Sequence, residues 1–477
     1  MNRIIFYIII ISLFLPIIQV QTEFFSFEKL EGSFYPVKDV DISVDTWLEG
    51  EYQTGKEKHL KDSIGFKPIF IRLYNQMLYS LYSMPNNPGG VIGKDKYLYL
   101  TDYVYNYTGE NYIGDKDIKE KVDRLKKLQD FFSKKNITLL TVFTPSKASF
   151  YPEYIPDYYK KYPKTNYSAF VEAYKENNLN YIDLVSYFNQ IKDTTSLALF
   201  PKNGLHWSSY GMALGIDTMI KTIENIRNID LPDLSWKTPI ELEDSLRKPD
   251  NDVEKIMNLL FDLPNDPMPY PKFTFNKEGK AHQKVLVISD SYYWQAYTAM
   301  IPHNIFDWGG FWYYNKKIHN TKTNSLKVKD IDLYNELLKQ DVIVLFVSQA
   351  TLQLFPYGFD KEAGFLVEPT GAKYTEEYYR NEIENNTKFK NSILEKSVKN
   401  NTDFDTQLDL DINWIIKNKT KEYYTKQYQI KKFASDVYAN PKKLNKIKQE
   451  AKKQGIGFGK LILLEAEKAY NSSKNKN

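Results

Sequence analysis

The chain has 477 residues, of which 42% are hydrophobic and 15% aromatic, and a formal net charge of +4. This content of packing side chains excludes a disordered chain, and the length favours one large domain with appended segments, or two domains. The near-neutral charge, without an arginine cluster among stacking aromatics, argues against nucleic acid as a partner. The absence of cysteine excludes disulfides, thiolate metal sites and a cysteine nucleophile.

Residues 1–22 have the features of an export signal. Asn2 and Arg3 form a short basic start, and an apolar run follows from Ile4 to Ile18. The run is shorter than the roughly 20 residues that span a bilayer comfortably, but no small-x-small cleavage site stands out after it. The segment is therefore a signal peptide or an N-terminal anchor, with a buried core element as the third alternative. Either of the first two predicts an extracytoplasmic protein, which is periplasmic, secreted or anchored by its N-terminus.

Residues 23–115 are irregular and are predicted to form an N-terminal extension. The segment is rich in turn residues from Pro85 to Gly90, and two short apolar stretches, 91–93 and 97–100, predict a hairpin around 94–96.

Residues 116–370 alternate between helical and strand patterns. Apolar residues recur at helical spacing from Ile118 to Lys135. Short and almost fully apolar strands separated by helices indicate a parallel sheet buried on both faces, so we predict a three-layer α/β/α sandwich. The predicted strands are 137–143, 179–182, 284–289 and 341–347, and the further helices are 170–175 and 210–227, the last capped by Ser208-Ser209.

Residues 371–477 form a lysine-rich region with tyrosine and asparagine, and no strand pattern. We predict a helical C-terminal tail, packed in part on the main domain through Trp414, Ile415 and Ile416. Its basic surface either contacts an anionic polysaccharide or membrane, or is a solvated helix face.

Ser291 is the candidate nucleophile. It follows the strand 284–289 in the segment Ser289-Asp290-Ser291, and loops at the carboxyl ends of parallel strands converge on one crevice. A serine on the first turn of a helix has neighbouring backbone N–H groups that can stabilise an oxyanion, although the same position also suits a simple helix cap.

His206 is the candidate base. Of the five histidines, it alone lies in a loop directly before a capped helix and beside an aromatic residue, Trp207. A histidine that only caps the helix end is the structural alternative.

Three segments resemble the alginate O-acetyltransferase-like SGNH hydrolase family: 142–156 (VFTPSKASFYPEYIP), 204–208 (GLHWS) and 287–291 (VISDS). As in that family, the histidine block precedes the serine block. The resemblance covers roughly residues 45–359. It implies an SGNH-type fold and an exported protein that acts on O-acetyl groups of an extracellular or cell-wall polysaccharide through a serine acyl-enzyme.

Two positions differ from the family's pattern. The family has an aspartate two residues before the histidine, where this chain has Gly204, and a glycine where it has Ser289. The carboxylate that orients the histidine is therefore unidentified from sequence, with Asp290, Asp183 and Asp307 as alternatives. Loss of such a carboxylate typically lowers turnover by about 10⁴.

Several other residues are predicted to support the site or bind substrate. Lys147 follows the first strand and is predicted either to contact an anionic sugar or the oxyanion, or to form a salt bridge that holds its loop. A group of aromatic residues near Ser291 and His206 either forms a carbohydrate cleft or belongs to the core. The supporting set comprises Lys147, Trp207, Asp290, Tyr292, Tyr293 and Trp312.

These features predict a serine O-acetyltransferase or acetylesterase that requires no metal and no cofactor. The expected partners are the polysaccharide substrate and, in addition, a membrane acyl-donor protein or the polysaccharide-export machinery. The alternative function is a non-catalytic carbohydrate-binding or polysaccharide-assembly protein with a degenerate site.

Overall fold

The computed structural model describes part of the chain in detail. The described residues are 2–477 except 33–36, 38, 88, 320–325, 329, 330, 332, 365, 366, 368–378, 381, 382, 385, 416–432, 434–436, 438, 439, 455–457 and 475–477.

A six-stranded sheet forms the centre of the molecule. Its strands are β3 (Thr138–Thr144), β4 (Tyr181–Asp183), β9 (Lys284–Ser289), β10 (Asp307–Tyr313), β11 (Lys317–His319) and β12 (Val342–Ser348). They lie in the order β11-β10-β9-β12-β3-β4. All neighbouring pairs are parallel except β10 and β11, which are antiparallel. Ser348 at the end of β12 lies opposite Thr144 at the end of β3, and Phe346 lies opposite Ser289 at the end of β9. The three strands therefore end at one edge of the sheet.

Both faces of this sheet are buried. Alternate residues of one strand belong to different core clusters, as Val344 and Ile343 of β12 show. The cluster around Val344 includes α9 (Leu184–Ile191) and α10 (Ser209–Arg227), and the cluster around Ile343 includes α6 (Asp115–Lys134) and α8 (Asn166–Glu176). The predicted α/β class is confirmed. The predicted strands pair in parallel, but the complete sheet is mixed, because β11 returns antiparallel to β10 at the edge.

Short elements surround the sheet. Two-stranded antiparallel pairs are β1 (Gly90–Ile92) with β2 (Leu98–Leu100), β5 (Asp233–Trp236) with β8 (Phe273–Asn276), and β6 (Leu242–Glu243) with β7 (Met268–Pro269). The other helices before the tail are α1 (Asn2–Thr22), α2 (Val44–Leu48), α3 (Glu51–Ser63), α4 (Lys67–Met77), α5 (Thr101–Thr108), α7 (Lys147–Phe150), α11 (Asp252–Ile256), α12 (Trp294–Thr298), α13 (Ile301–Ile305), α14 (Leu333–Leu338) and α15 (Phe359–Glu362).

The hairpin β1–β2 lies where the sequence predicts it, but it is part of the core. Leu98, Tyr99 and Val104 are fully buried in the cluster that covers one face of the sheet. The domain boundary at residues 115/116 stays a prediction.

The C-terminal region is helical, as predicted, with helices Thr387–Asn400, 404–415, Pro441–Gln454 and Phe458–Lys474. Ile393, Leu408 and Ile412 form a small core of tail residues, and Ile415 packs against it. Trp414 is 67% exposed, so it does not pack on the main domain as predicted. Ile416 lies outside the described residues.

Candidate active site

Ser291 lies at the carboxyl end of β9. The strand ends at Ser289, and Ser291 opens a 3₁₀ turn, Ser291–Tyr293, that leads into α12. The Asp290 carboxylate caps this turn by accepting a hydrogen bond from the Tyr292 backbone N–H at 2.9 Å. Ser291 itself is partly exposed. The Tyr292 N–H is therefore engaged, which corrects the expectation that several neighbouring N–H groups face an oxyanion.

His206 lies within hydrogen-bond distance of Ser291. Its Nε2 atom is 2.8 Å from the Ser291 hydroxyl oxygen, and its Nδ1 atom is 2.8 Å from Oδ2 of Asp252. Because a carboxylate only accepts hydrogen bonds, Nδ1 carries the proton and Nε2 accepts from the serine hydroxyl. Ser208 caps α10 by accepting from the Gly211 N–H, and this cap positions the loop that carries the histidine.

Asp252 is the carboxylate that the sequence does not identify. Its Oδ1 atom accepts a hydrogen bond from the Leu205 N–H at 2.8 Å, so the two oxygens hold the histidine ring and its loop together. A second hydrogen bond joins the same two segments of the chain: the Glu254 N–H donates to the Asn203 carbonyl at 3.1 Å. Asp252 is the first residue of the short helix α11, and its side chain is 29% exposed.

The backbone around Asp250 explains why residue 204 is glycine. A Cβ atom added to Gly204 would lie 2.5 Å from the Asp250 carbonyl oxygen and 2.7 Å from the Pro249 carbonyl oxygen. Backbone atoms cannot swing aside as a flexible side chain can. The segment that delivers Asp252 therefore occupies the space beside residue 204.

We expect Gly204→Asp, which restores the family's aspartate, to lower both stability and activity. The added Cβ overpacks the Asp250 backbone and displaces Asp252, which should lower the free energy of unfolding by about 1–3 kcal/mol. Urea unfolding and acetyl-ester hydrolysis would measure the two effects. An active and fully stable Gly204→Asp protein would contradict this packing.

The three predicted alternatives for the orienting carboxylate are wrong. Asp183 accepts a hydrogen bond from the Tyr167 hydroxyl at 2.8 Å, and Asp307 pairs with His282 at 3.2 Å. Asp290 lies in a separate network, described next. Each of these three carboxylates binds groups other than His206, and His206 pairs with Asp252.

Asp290 joins the ends of β9 and β12. Besides the Tyr292 N–H, its carboxylate accepts hydrogen bonds from the Ser348 N–H at 2.9 Å, the Thr351 hydroxyl at 2.5 Å and the Tyr357 hydroxyl at 3.2 Å. It is completely buried. Asp290 therefore supports the turn that presents Ser291.

Lys147 is also completely buried and does not face a substrate. Its amine donates hydrogen bonds to the carbonyl oxygens of Leu98 at 2.8 Å, Lys202 at 2.5 Å and Gly204 at 2.9 Å. Burial lowers the pKa of this amine well below its usual value. Lys147 therefore has a structural role instead of the expected sugar contact. Its amine holds the loop before His206 by bonding to the backbone carbonyls of that loop.

The aromatic residues of the predicted cleft belong mainly to the core. Trp207, Tyr292 and Tyr293 are buried in the cluster on one face of the sheet, and Trp312 is buried on the other. Tyr313 and Tyr314 remain partly exposed. The stacking role predicted for Trp207, Tyr292, Tyr293 and Trp312 is therefore corrected to packing.

A second buried carboxyl group lies close to this site. Asp250 is nearly inaccessible, and its Oδ2 atom accepts a hydrogen bond from the Tyr270 hydroxyl at 2.7 Å. Burial raises the pKa of Asp250 to about 7; Asp252 also raises it, whereas the Tyr270 hydrogen bond and the charges of His206 and Arg247 lower it.

We expect Asp250→Asn to remove a pH-dependent loss of stability. In the unfolded chain this carboxyl ionises near pH 4, but in the folded protein it keeps its proton up to about pH 7. The folded state therefore binds more protons in this window, and the free energy of unfolding falls as the pH rises. Relative to wild type, the variant should gain about 1–3 kcal/mol between pH 5 and pH 8 in urea titrations. Asp41→Asn, at an exposed carboxylate, is the control; equal pH slopes in the three proteins would contradict the expectation.

No metal-binding cluster of three or more His, Asp or Glu side chains occurs in the part of the chain that the structure describes.

The α/β fold and the Ser–His–Asp contacts have the geometry of the serine-hydrolase class of proteins. Residues 91–238 match a family model described as the SGNH hydrolase-like domain of the acetyltransferase AlgX. The matched segment contains His206 and ends before Asp252 and Ser291. The match agrees with the resemblance seen in the sequence motifs, and residues 91–238 are similar to an AlgX-type SGNH hydrolase-like domain.

Solved structures give weaker likenesses. The O-acetyltransferase domain of Pseudomonas putida AlgJ is 14% identical, over 59% of this chain and 99% of that one, with a TM-score of 0.40. Pseudomonas aeruginosa AlgX is 11% identical over 55% and 66%, with a TM-score of 0.37. Bacillus cereus PatB1 is 13% identical over 55% and 97%, with a TM-score of 0.35. These TM-scores are below 0.5, so the similarity to a known family rests on the match of residues 91–238. None of the curated proteins matches the chain.

Proposed function

We propose that this protein is an exported, serine-dependent O-acetyltransferase or acetylesterase that acts on an extracellular or cell-wall polysaccharide. The observation that carries the proposal is the unbroken set of contacts from Ser291 through His206 to Asp252, with both distances at 2.8 Å. The family match to an acetyltransferase domain supports the chemistry.

The contacts support a two-step mechanism. The Ser291 hydroxyl attacks the acetyl carbonyl while His206 Nε2 accepts its proton, and Asp252 stabilises the resulting imidazolium. His206 then returns the proton to the leaving oxygen, and acetyl-Ser291 remains. In the second step His206 removes a proton from a polysaccharide hydroxyl or from water, whose oxygen attacks the acetyl carbonyl. The bond to Ser291 breaks, and His206 returns this proton to the serine oxygen. We assign the Ser291 backbone N–H to the oxyanion, as predicted from the sequence.

The alternative of a non-catalytic binding protein rested on the missing aspartate at Gly204. Asp252 provides a carboxylate at His206 Nδ1, which argues against a degenerate site. The burial of the aromatic set also removes the main argument for a stacking cleft.

We further propose the location and layout of the protein. The apolar helix α1 is compatible with a signal sequence or an anchor, and either would place the domain outside the cytoplasm.

Because β1, β2 and α5 pack into the core, we place the start of the SGNH domain near residue 90 rather than 116. We regard its sheet as the middle layer of a three-layer sandwich. A membrane acyl-donor protein or the export machinery remains the proposed partner.

Trapping of the acyl-enzyme tests this function. The protein would be mixed with a chromogenic acetyl ester, quenched in acid and digested, and we expect an acetyl group on the peptide that contains Ser291. Ser291→Ala should remain unmodified and release no acetate above background. Adding acetyl-free polysaccharides would then separate transfer from hydrolysis. Acetyl release by Ser291→Ala at the wild-type rate would refute the proposal.

A further inference from the structure

Helix α4 has one face that is fixed to the domain. The helix runs from Lys67 to Met77 and continues as a π-helical turn, Leu78–Tyr82. Asn75 is buried and donates a hydrogen bond to the Met257 carbonyl at 2.7 Å, and Arg72 donates to the Leu259 carbonyl at 3.1 Å. This inner face is thus bonded to the segment directly after α11, the helix that begins with Asp252.

The opposite face of α4 is apolar and exposed. Residues three or four positions apart lie on the same side of a helix. We call the set Phe70, Leu73, Tyr74, Met77 and Leu81 the apolar stripe; each side chain is between 44% and 70% exposed. A surface helix of a water-soluble protein places polar residues on its outer face. The pattern is reversed here, and contiguous exposed apolar surface marks an interaction site.

The apolar stripe is continuous with the N-terminal helix. Gln19 near the end of α1 donates from its side chain to the Phe25 carbonyl at 2.7 Å. The Phe66 ring contacts those of Phe25 and Phe70, with centroid distances of 6.1 and 6.3 Å. Gly65 approaches α1 closely, since a Cβ atom there would lie 2.3 Å from the carbonyl oxygen of Pro16. The end of α1 therefore lies beside the start of the stripe.

The chemistry of α1 identifies the partner surface. Within the described residues, Ile4–Thr22 is the one helix that is long and apolar enough to cross a membrane. If α1 is inserted, the chain leaves the bilayer where the stripe begins. The stripe contains the exposed Tyr74, and the exposed Tyr82 directly follows Leu81. Tyrosine is a residue type enriched at membrane interfaces.

We propose that the apolar stripe of α4 rests in the interfacial region of a lipid bilayer, next to the inserted helix α1. The bilayer then holds the domain at two points, and the hydrogen bonds of Asn75 and Arg72 set the orientation of the segment that carries Asp252 relative to the membrane. This inference does not depend on the acetyl-transfer chemistry.

Site-directed spin labelling of the full chain tests the proposal, because the protein has no cysteine and a single one can be introduced. Leu73→Cys and Met77→Cys would each be labelled with a nitroxide and reconstituted in vesicles of phosphatidylcholine and phosphatidylglycerol. Glu176→Cys, at an exposed position on α8, is the matched control. We expect the labels at 73 and 77 to collide at least about fivefold less with a water-soluble nickel complex, and more with oxygen, than the label at 176, as an interfacial depth of about 5–10 Å requires.

Two outcomes would overturn the proposal. Nickel accessibility at 73 and 77 equal to that at 176 would show that the stripe faces water. Protection that disappears when the labelled protein is diluted in excess lipid would show that a second copy of the chain covers the stripe. Protection that persists at high dilution in pure lipid supports the bilayer, since no other protein is present.

Discussion

Asp252→Asn is expected to lower the rate of acetyl release by about 10⁴-fold while the protein stays folded. The asparagine amide can still accept the hydrogen bond from the Leu205 N–H. It cannot provide the negative charge that stabilises the His206 imidazolium, and its N–H₂ group favours the tautomer in which Nε2 no longer accepts the serine proton. The kcat for a chromogenic acetyl ester measures the effect, and circular dichroism checks the fold.

Asp262→Asn is the matched control for this substitution. Asp262 lies ten positions further along the chain, is exposed and pairs with Lys255 at 2.8 Å. We expect its kcat to remain within about twofold of wild type, because a surface ion pair contributes little. A loss of less than tenfold in Asp252→Asn, or similar losses in both variants, would contradict the role assigned to Asp252.

Lys147→Met is expected to lower the free energy of unfolding by about 3 kcal/mol or more. The substitution keeps most of the side-chain volume but leaves the buried carbonyl oxygens of Leu98, Lys202 and Gly204 without their shared donor. Two of these carbonyls belong to the loop before His206. We therefore expect kcat to fall as well, even at temperatures where the variant is fully folded. Urea unfolding and steady-state kinetics measure the two effects.

Lys160→Met, at an exposed lysine, is the control and should change the free energy of unfolding by less than about 0.5 kcal/mol. Equal stability of Lys147→Met and Lys160→Met would show that the three carbonyl contacts do not hold the loop.

The principal strands and the Ser291–His206 pair could be predicted because each has a local pattern. The strand at 342–348 is a continuous apolar run, and Ser291 and His206 each lie directly before a helix. Periodicity and capping act over a few residues, so they are readable in one sequence. By contrast, β10 was missed because two glycines interrupt it and its register shifts between Trp308 and Phe311.

Asp252 could not be predicted, because no local pattern marks it. It lies 46 positions after His206, in a segment without helical or strand periodicity, and begins a helix of five residues. Only the tertiary packing of the Asp250 backbone against Gly204 brings it to the histidine. The burial of Lys147 could not be predicted for the same reason: a lysine is normally exposed, and this burial depends on three carbonyl groups that come from two separate segments.

The rate at which a sulfonyl fluoride modifies Ser291 tests whether His206 and Asp252 activate this serine, because the reagent reports the activated hydroxyl without any assumption about the natural substrate. Peptide mass spectrometry would locate the adduct and follow its formation in wild type, Asp252→Asn and Asp262→Asn. We expect modification at Ser291, with a rate that falls by orders of magnitude in Asp252→Asn and stays unchanged in Asp262→Asn. Modification elsewhere, or the same rate at Ser291 in all three proteins, would contradict this expectation.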